Sequence, residues 1–303
     1  MERIGFIGLG NMGRHMSANQ LKGQRRVSAY DLSPAAVARA QADGCEGAAS
    51  VAECVRDADV VITSLPAGPH VRQVVAEEVL AAARPGTLIV DCSTIDVQTA
   101  RDLSDLCAEQ GVRFADAPVS GGMMGAEAAT LTFMVGCRDD ETYAEVEEAV
   151  RPMGKAVIRA GGPGAGQAAK ICNNMLLGVS MIGTCEAFAL AEKLGLDGQR
   201  FYDIASKSSG QCWSVTTNCP IPGPVPNSPA NNAYEPGFAT AMILKDLKLA
   251  QACAASAGAS APMGAQAEGL FALFDQLGYG NKDFSAILQL FRGRLAELAQ
   301  EQI

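Results

Sequence analysis

Lys170 and Asn174 stand four residues apart in the run Gly166-Gln167-Ala168-Ala169-Lys170-Ile171-Cys172-Asn173-Asn174. On a helix, positions i and i+4 project from one face. Their neighbours Ile171, Cys172, Met175 and Leu176 are apolar. A lysine in that setting either snorkels to water or is partly desolvated, and desolvation favours the neutral amine that can accept a proton. Spacing alone leaves both readings open. A second stretch, Asp116-Ala117-Pro118-Val119-Ser120-Gly121-Gly122, ends in successive glycines whose backbone N–H groups could cradle a carboxylate, with the Ser120 hydroxyl as a further donor. The chain holds only two histidines, His15 and His70. His15 falls on the helix after an early glycine turn and His70 starts another helix, so a histidine base and a multi-histidine metal site are both disfavoured. No metal is expected, and a lysine is the next candidate for proton transfer.

That early turn is Gly8-x-Gly10-x-x-Gly13. It follows a strand, opens a helix, and is followed by an acidic residue, Asp31, at the end of a second strand. This context makes it a dinucleotide-binding signature. Gly8 permits the tight turn, Gly10 lets the backbone approach a pyrophosphate, and Gly13 lets helix and strand pack closely. The helix N-terminus adds N–H donors and a positive dipole. Asp31 would accept from the adenosine ribose hydroxyls and repel a 2′-phosphate, which favours NAD over NADP. Leu65-Pro66 and Ser93-Thr94 end two further strands on the side where ligands of such sheets lie. From position alone, plain loops are an equal reading for these.

The elements that must hold these residues alternate through the first half. Apolar runs at Ile4–Ile7, Val27–Tyr30, Asp59–Thr63, Thr87–Val90, Val112–Phe114 and Leu131–Val135 are separated by alanine-rich helical stretches such as Pro34–Asp43 and Gln98–Gln110. Such alternation predicts a mostly parallel, doubly wound Rossmann-type α/β domain. The cluster Gly161-Gly162-Pro163-Gly164 breaks the pattern, and helices with no strand are expected after it, at Gly166–Leu194, Asp197–Ser206, Thr240–Ala257, Met263–Leu277 and Asp283–Ala299. The proline-rich stretch from Cys219 to Tyr234 reads as an irregular loop. The expected division is therefore 1–163 and 164–303, the second domain all-helical, and the length of 303 residues suits about two domains.

Composition narrows the partners. A net charge of −9 argues against nucleic acid and an anionic membrane face. Met175–Ala191 contains Glu186 and is read as falling short of a membrane span. The start Met1-Glu2-Arg3 enters a strand without the features of a signal peptide. The ten cysteines include no CxxC pair and read as reduced, mostly buried thiols of a cytoplasmic protein. Cys172 in particular reads as a packing residue.

Together Ile4-Gly5-Phe6-Ile7-Gly8-Leu9-Gly10-Asn11-Met12-Gly13, the Asp116–Gly122 run, Leu131-Thr132-Phe133-Met134-Val135-Gly136 and the Gly166–Asn174 run resemble the β-hydroxyacid dehydrogenases, with Lys245-Asp246-Leu247 and Lys282-Asp283-Phe284-Ser285 extending the match. The stretch Ser208–Ser214 with Trp213, and the proline loop after it, is similar to the branch that oxidises 3-hydroxyisobutyrate. The resemblance implies Lys170 as general acid/base, Asn174 as a substrate-holding residue, and Ser120, Gly121 and Gly122 as the carboxylate site. It places Gly8, Leu9, Gly10, Asn11, Met12, Gly13, Asp31, Leu65, Pro66, Thr94 and Lys245 around NAD, Lys245 coming from the helical domain. It implies a small 3-hydroxyacid substrate and a homodimer or homotetramer. Another β-hydroxyacid such as tartronate semialdehyde, or a non-catalytic scaffold role, stands as the alternative. The chain departs from the family pattern in three places: the Gly23-Gln24-Arg25 turn replaces Ala-Gly-His, Ala129 stands at a common glycine, and Cys137 replaces another.

Overall fold

The computed structural model describes residues 2–300. It divides into two compact units, one up to Lys170 and one from Ile171 on. The first unit carries strands β1 (Arg3–Ile7), β2 (Arg26–Tyr30), β3 (Glu46–Gly47), β4 (Val60–Thr63), β5 (Leu88–Asp91), β6 (Arg113–Asp116), β7 (Val119–Ser120), β8 (Leu131–Gly136) and β9 (Gly154–Gly161). The sheet order is β3-β2-β1-β4-β5-β6-β8-β7, with β9 also paired to β8. The strands from β3 to β6 are mutually parallel, whereas β8 runs antiparallel to β6 and β7 and parallel to β9.

Burial on both faces explains the unbroken apolar runs. Val60 and Ile62 of β4, with Leu88 and Val90 of β5, enter one core cluster. Val61 and Ile89 between them enter the other. Side-chain caps start the intervening helices: Ser33 accepts from Ala36 N, Asp96 from Thr99 N and Asp139 from Thr142 N.

The second unit is helical, with a core of Met181, Phe188, Phe271, Phe274, Phe284 and Ile287 among others. The long helix Ala165–Lys193 begins in the first unit and continues into the second. By length and composition alone it could cross a membrane, and half of its most apolar stretch is buried in the fold. Its composition alone does not separate it from a span, but Met181, Cys185 and Phe188 pack into the core, in line with the expectation that it is not one.

Other expectations shift locally. Strand β9 is absent from the sequence reading because it is an edge strand with little burial, so its pattern is weak. The helix expected over 283–299 is three pieces, Phe284–Ile287, Leu288–Arg292 and Leu295–Gln300, with Gly293 left-handed at φ +69° between the last two. The helix Pro262–Phe274 passes into a wide turn, Asp275–Tyr279. Between Cys219 and Tyr234 the chain is irregular apart from one turn at Pro229–Asn231. The ten cysteines form no disulfide among the described residues.

Candidate active site

The glycine turn joins the carboxyl end of β1 to the helix Asn11–Leu21. Gly8 has φ +95°, and a Cβ there would lie 2.3 Å from the carbonyl oxygen of Ser64. A Cβ at Gly13 would lie 1.9 Å from the Gly8 carbonyl oxygen. At Gly10, by contrast, a Cβ would meet nothing within 4 Å. Gly8 and Gly13 are thus glycine for packing inside the turn, while Gly10 leaves open room at a helix start that no side chain caps. Asn11 is exposed and Met12 half-buried beside that room. This is the cradle a pyrophosphate needs.

Asp31 at the end of β2 is fixed by two backbone donors: Leu9 N to Oδ2 at 2.7 Å and Ser33 N to Oδ1 at 2.8 Å. Its negative charge is therefore held at the turn, and the next residue, Leu32, is fully turned to solvent. Leu65-Pro66 and Ser93-Thr94 follow the carboxyl ends of β4, which pairs with β1, and β5, which pairs with β4. Leu65 N donates to Ser93 Oγ at 2.8 Å, which ties the two loops together.

The same edge carries the reactive candidates. Lys170 is buried, and its Nζ donates to the Val119 carbonyl at 2.7 Å. Val119 immediately precedes Ser120-Gly121-Gly122, where Gly121 and Gly122 have φ +137° and +63°. The structure thus brings Lys170 to that turn. Two acids lie behind it at paired positions in β5 and β6. Asp91 accepts from Thr63 Oγ1 and Ser93 N. Asp116 accepts from Gly164 N at 2.8 Å and Gln167 N at 2.9 Å. Burial pushes the Asp116 carboxyl up to about 6, against the opposing pull of these backbone donors.

In the second unit, Asn174 is buried one turn beyond Lys170 on the same helix, and its Nδ2 donates to Asp246 Oδ2 at 2.5 Å. Lys245 Nζ lies 3.4 Å from Asp246 Oδ1. Asp246 therefore joins two of the residues the sequence singled out, a link no spacing rule foretells. The long helix itself presents Gln167, Lys170 and Asn174 at i, i+3 and i+7, a buried polar stripe on one face. Cys172, off this stripe, is exposed, which corrects its reading as a packing residue.

A largely parallel sheet with a glycine turn after its first strand, an acid after its second, and a buried lysine against a Ser-Gly-Gly turn fits a nicotinamide-dependent dehydrogenase of the β-hydroxyacid class. Residues 3–162 match the family model described as the NAD binding domain of 6-phosphogluconate dehydrogenase, and residues 164–291 the one described as NAD-binding of NADP-dependent 3-hydroxyisobutyrate dehydrogenase. The chain is 45% identical over 298 residues to the 3-hydroxyisobutyrate dehydrogenase of Pseudomonas aeruginosa, covering 97% of this chain and 100% of that one. It is 43% identical over 293 residues to the NAD-dependent L-serine dehydrogenase of the same organism, covering 96% and 98%. A solved structure of Mycobacterium tuberculosis 3-hydroxyisobutyrate dehydrogenase with L-serine superposes with a TM-score of 0.92 at 49% identity, over 96% of this chain and 99% of that one. The chain belongs to the 3-hydroxyisobutyrate dehydrogenase family. It is an oxidoreductase whose cofactor is a nicotinamide adenine dinucleotide.

Proposed function

We propose that this enzyme oxidises 3-hydroxyisobutyrate to methylmalonate semialdehyde, a step of valine breakdown, with NAD as its preferred cofactor. The observation that carries this reading is Lys170, buried and hydrogen-bonded beside the Ser120-Gly121-Gly122 turn in the unit that holds the glycine cradle. The turn's backbone N–H groups and the Ser120 hydroxyl hold the substrate carboxylate, and Asn174 helps hold the substrate. Neutral Lys170 takes the proton of the substrate hydroxyl on Nζ, and in the reverse direction the ammonium returns it. When bound, the nicotinamide supplies the hydride acceptor. Gly8, Leu9, Gly10, Asn11, Met12 and Gly13 hold the pyrophosphate, Asp31 the adenosine ribose, and Leu65, Pro66, Thr94 and Lys245 contact the remainder of the dinucleotide.

Asp31 supports NAD over NADP, because its charge stands where a 2′-phosphate would sit and Leu32 beside it offers no cation. A cytoplasmic setting fits ten cysteines that form no disulfide among the described residues. A homodimer or homotetramer fits the exposed Leu190, Leu194 and Ile204 of the helical unit. L-serine is a second reading for the substrate, supported by the serine dehydrogenase relative and the serine-bound structure; serine keeps the same three-carbon hydroxyacid skeleton with an amino group for the methyl. Initial rates of NADH production with 3-hydroxyisobutyrate and L-serine, of NADH consumption with tartronate semialdehyde, and the same assays with the NADP couple test the assignment. We expect 3-hydroxyisobutyrate with NAD to give the highest kcat/KM. A higher value with L-serine would transfer the assignment to the second reading, and no turnover of any substrate would favour a scaffold role.

A further inference from the structure

Gln167 is fully buried, and both ends of its amide are used. Its Oε1 accepts from Ile95 N at 3.1 Å and its Nε2 donates to Ser93 O at 2.8 Å. It therefore clasps the backbone on both sides of Thr94, the residue between. Ser93 Oγ in turn accepts from Leu65 N. On the other side, Gln167 N and Gly164 N donate to the two oxygens of Asp116, which pins the first turn of the long helix to the end of β6. That seat admits little movement, since a Cβ at Gly166 would lie 2.3 Å from Met134 O and 2.8 Å from Asp116 Oδ2. Lys170 follows Gln167 by one helical turn on the same face. A continuous run of hydrogen bonds thus leads from Leu65 through Ser93 and Gln167 to the helix that carries Lys170, and Asp116 anchors its far end.

We propose that Gln167 is a positioning residue that fixes the Leu65 and Thr94 loops relative to Lys170, so that hydride and proton leave the substrate in one shared geometry. This rests on the reading of Lys170 as the acid/base and of the two loops as cofactor contacts. A glutamine suits the task because one amide offers both the acceptor that Ile95 N needs and the donor that Ser93 O needs. Methionine fills the same length and supplies neither. Glutamic acid supplies both only when protonated. When ionised it loses the donor and sets a negative charge against the Ser93 carbonyl.

Gln167→Met and Gln167→Glu test this. In cofactor-free protein, hydrogen exchange at Ile95 N–H should quicken in Gln167→Met by about tenfold or more, with the core strands unchanged. At temperatures where the variant is folded, kcat for 3-hydroxyisobutyrate should fall by about 10- to 100-fold while both KM values stay within about threefold, because misplacement of reacting groups costs turnover more than binding. For Gln167→Glu, the ratio of its kcat to that of the natural enzyme should rise as pH falls, as protonation restores the donor. A residue that serves stability alone would lower the melting temperature and leave the kcat of folded protein within about twofold and the Glu ratio flat with pH; that result overturns the proposal. If Gln167→Met does not fold, the pH dependence of Gln167→Glu decides by itself. If the natural enzyme turns over none of the hydroxyacids, the functional reading fails, and Ile95 exchange still reports whether Gln167 holds the loop.

Discussion

Lys170 Nζ donates to the carbonyl of Val119 at 2.7 Å, so the lysine proposed as the proton carrier is tethered to the residue that precedes the Ser120-Gly121-Gly122 turn. A carboxylate seated on that turn brings a 3-hydroxyl, two carbons further along the substrate, towards the amine. On the proposed reading the short tether favours acids with the hydroxyl at that remove, and it makes several consequences measurable.

The three glycines of the cradle divide into structure and function. Gly10→Ala adds a methyl into open room, so the cofactor-free protein should melt within about 2 °C of the natural one, the range of a neutral surface change. Its dissociation constant for NAD, followed by fluorescence titration, should nonetheless rise by about tenfold or more if, as proposed, that room receives the pyrophosphate. Gly13→Ala, whose Cβ falls 1.9 Å from the Gly8 carbonyl oxygen, should instead lower the melting temperature outright. Equal melting temperatures for the two variants would contradict this division.

On the proposed reading Asp31 sets the cofactor choice, because two backbone donors fix its carboxylate at one point. Asp31→Ala should raise the ratio of kcat/KM with NADP to that with NAD by about tenfold or more, the equivalent of about 1.4 kcal/mol of repulsion removed. Steady-state rates with each cofactor measure it, and an unchanged ratio would show that the carboxylate does not discriminate.

The family departures at Gln24 and Ala129 have a backbone consequence. Both residues lie in the left-handed region, at φ +58° and +56°. A side chain there costs roughly 1–2 kcal/mol, against roughly 0.5–1 kcal/mol for the freedom glycine gives up on folding. Gln24→Gly and Ala129→Gly should each stabilise the protein by about 0.5–1 kcal/mol in denaturant titrations. Cys137, the third departure, is buried in the sheet core and carries no such strain.

Asp116 gives a pH signature. Its carboxyl is raised to about 6 by burial from an ordinary value of 3.8, so the folded state binds this proton more tightly than the unfolded chain. The stability tied to it is complete below about pH 4 and is lost as pH rises through about 6. The stability of the natural protein relative to Asp116→Asn should therefore fall by up to about 3 kcal/mol across that window and level off above it. Urea titrations at stepped pH measure the difference, and a flat or rising one would contradict the burial of a charged Asp116.

Much of this site is legible in the sequence because it is built from contiguous runs. The glycine turn, Asp31 and the lysine helix each occupy one short segment whose spacing encodes its geometry. What sequence reading misses is long-range pairing. Gln167 stands inside a recognised run, yet its partners Ser93 and Ile95 are more than seventy residues away. Asp246 meets Asn174 across a similar separation. Strand β9 escapes because an exposed edge imposes little apolar pattern on Gly154–Gly161. The last helix is read as continuous because a glycine within it gives no sign, until its φ is seen, that it ends one helix and starts another.

The central claim is that Lys170 moves the substrate proton. Lys170→Ala, assayed for NADH production from 3-hydroxyisobutyrate alongside a titration of NAD binding, tests it most directly. We predict a kcat lower by about 10²- to 10⁴-fold with the NAD dissociation constant within about threefold of the natural enzyme. Turnover within a few-fold of the natural rate would contradict the assignment.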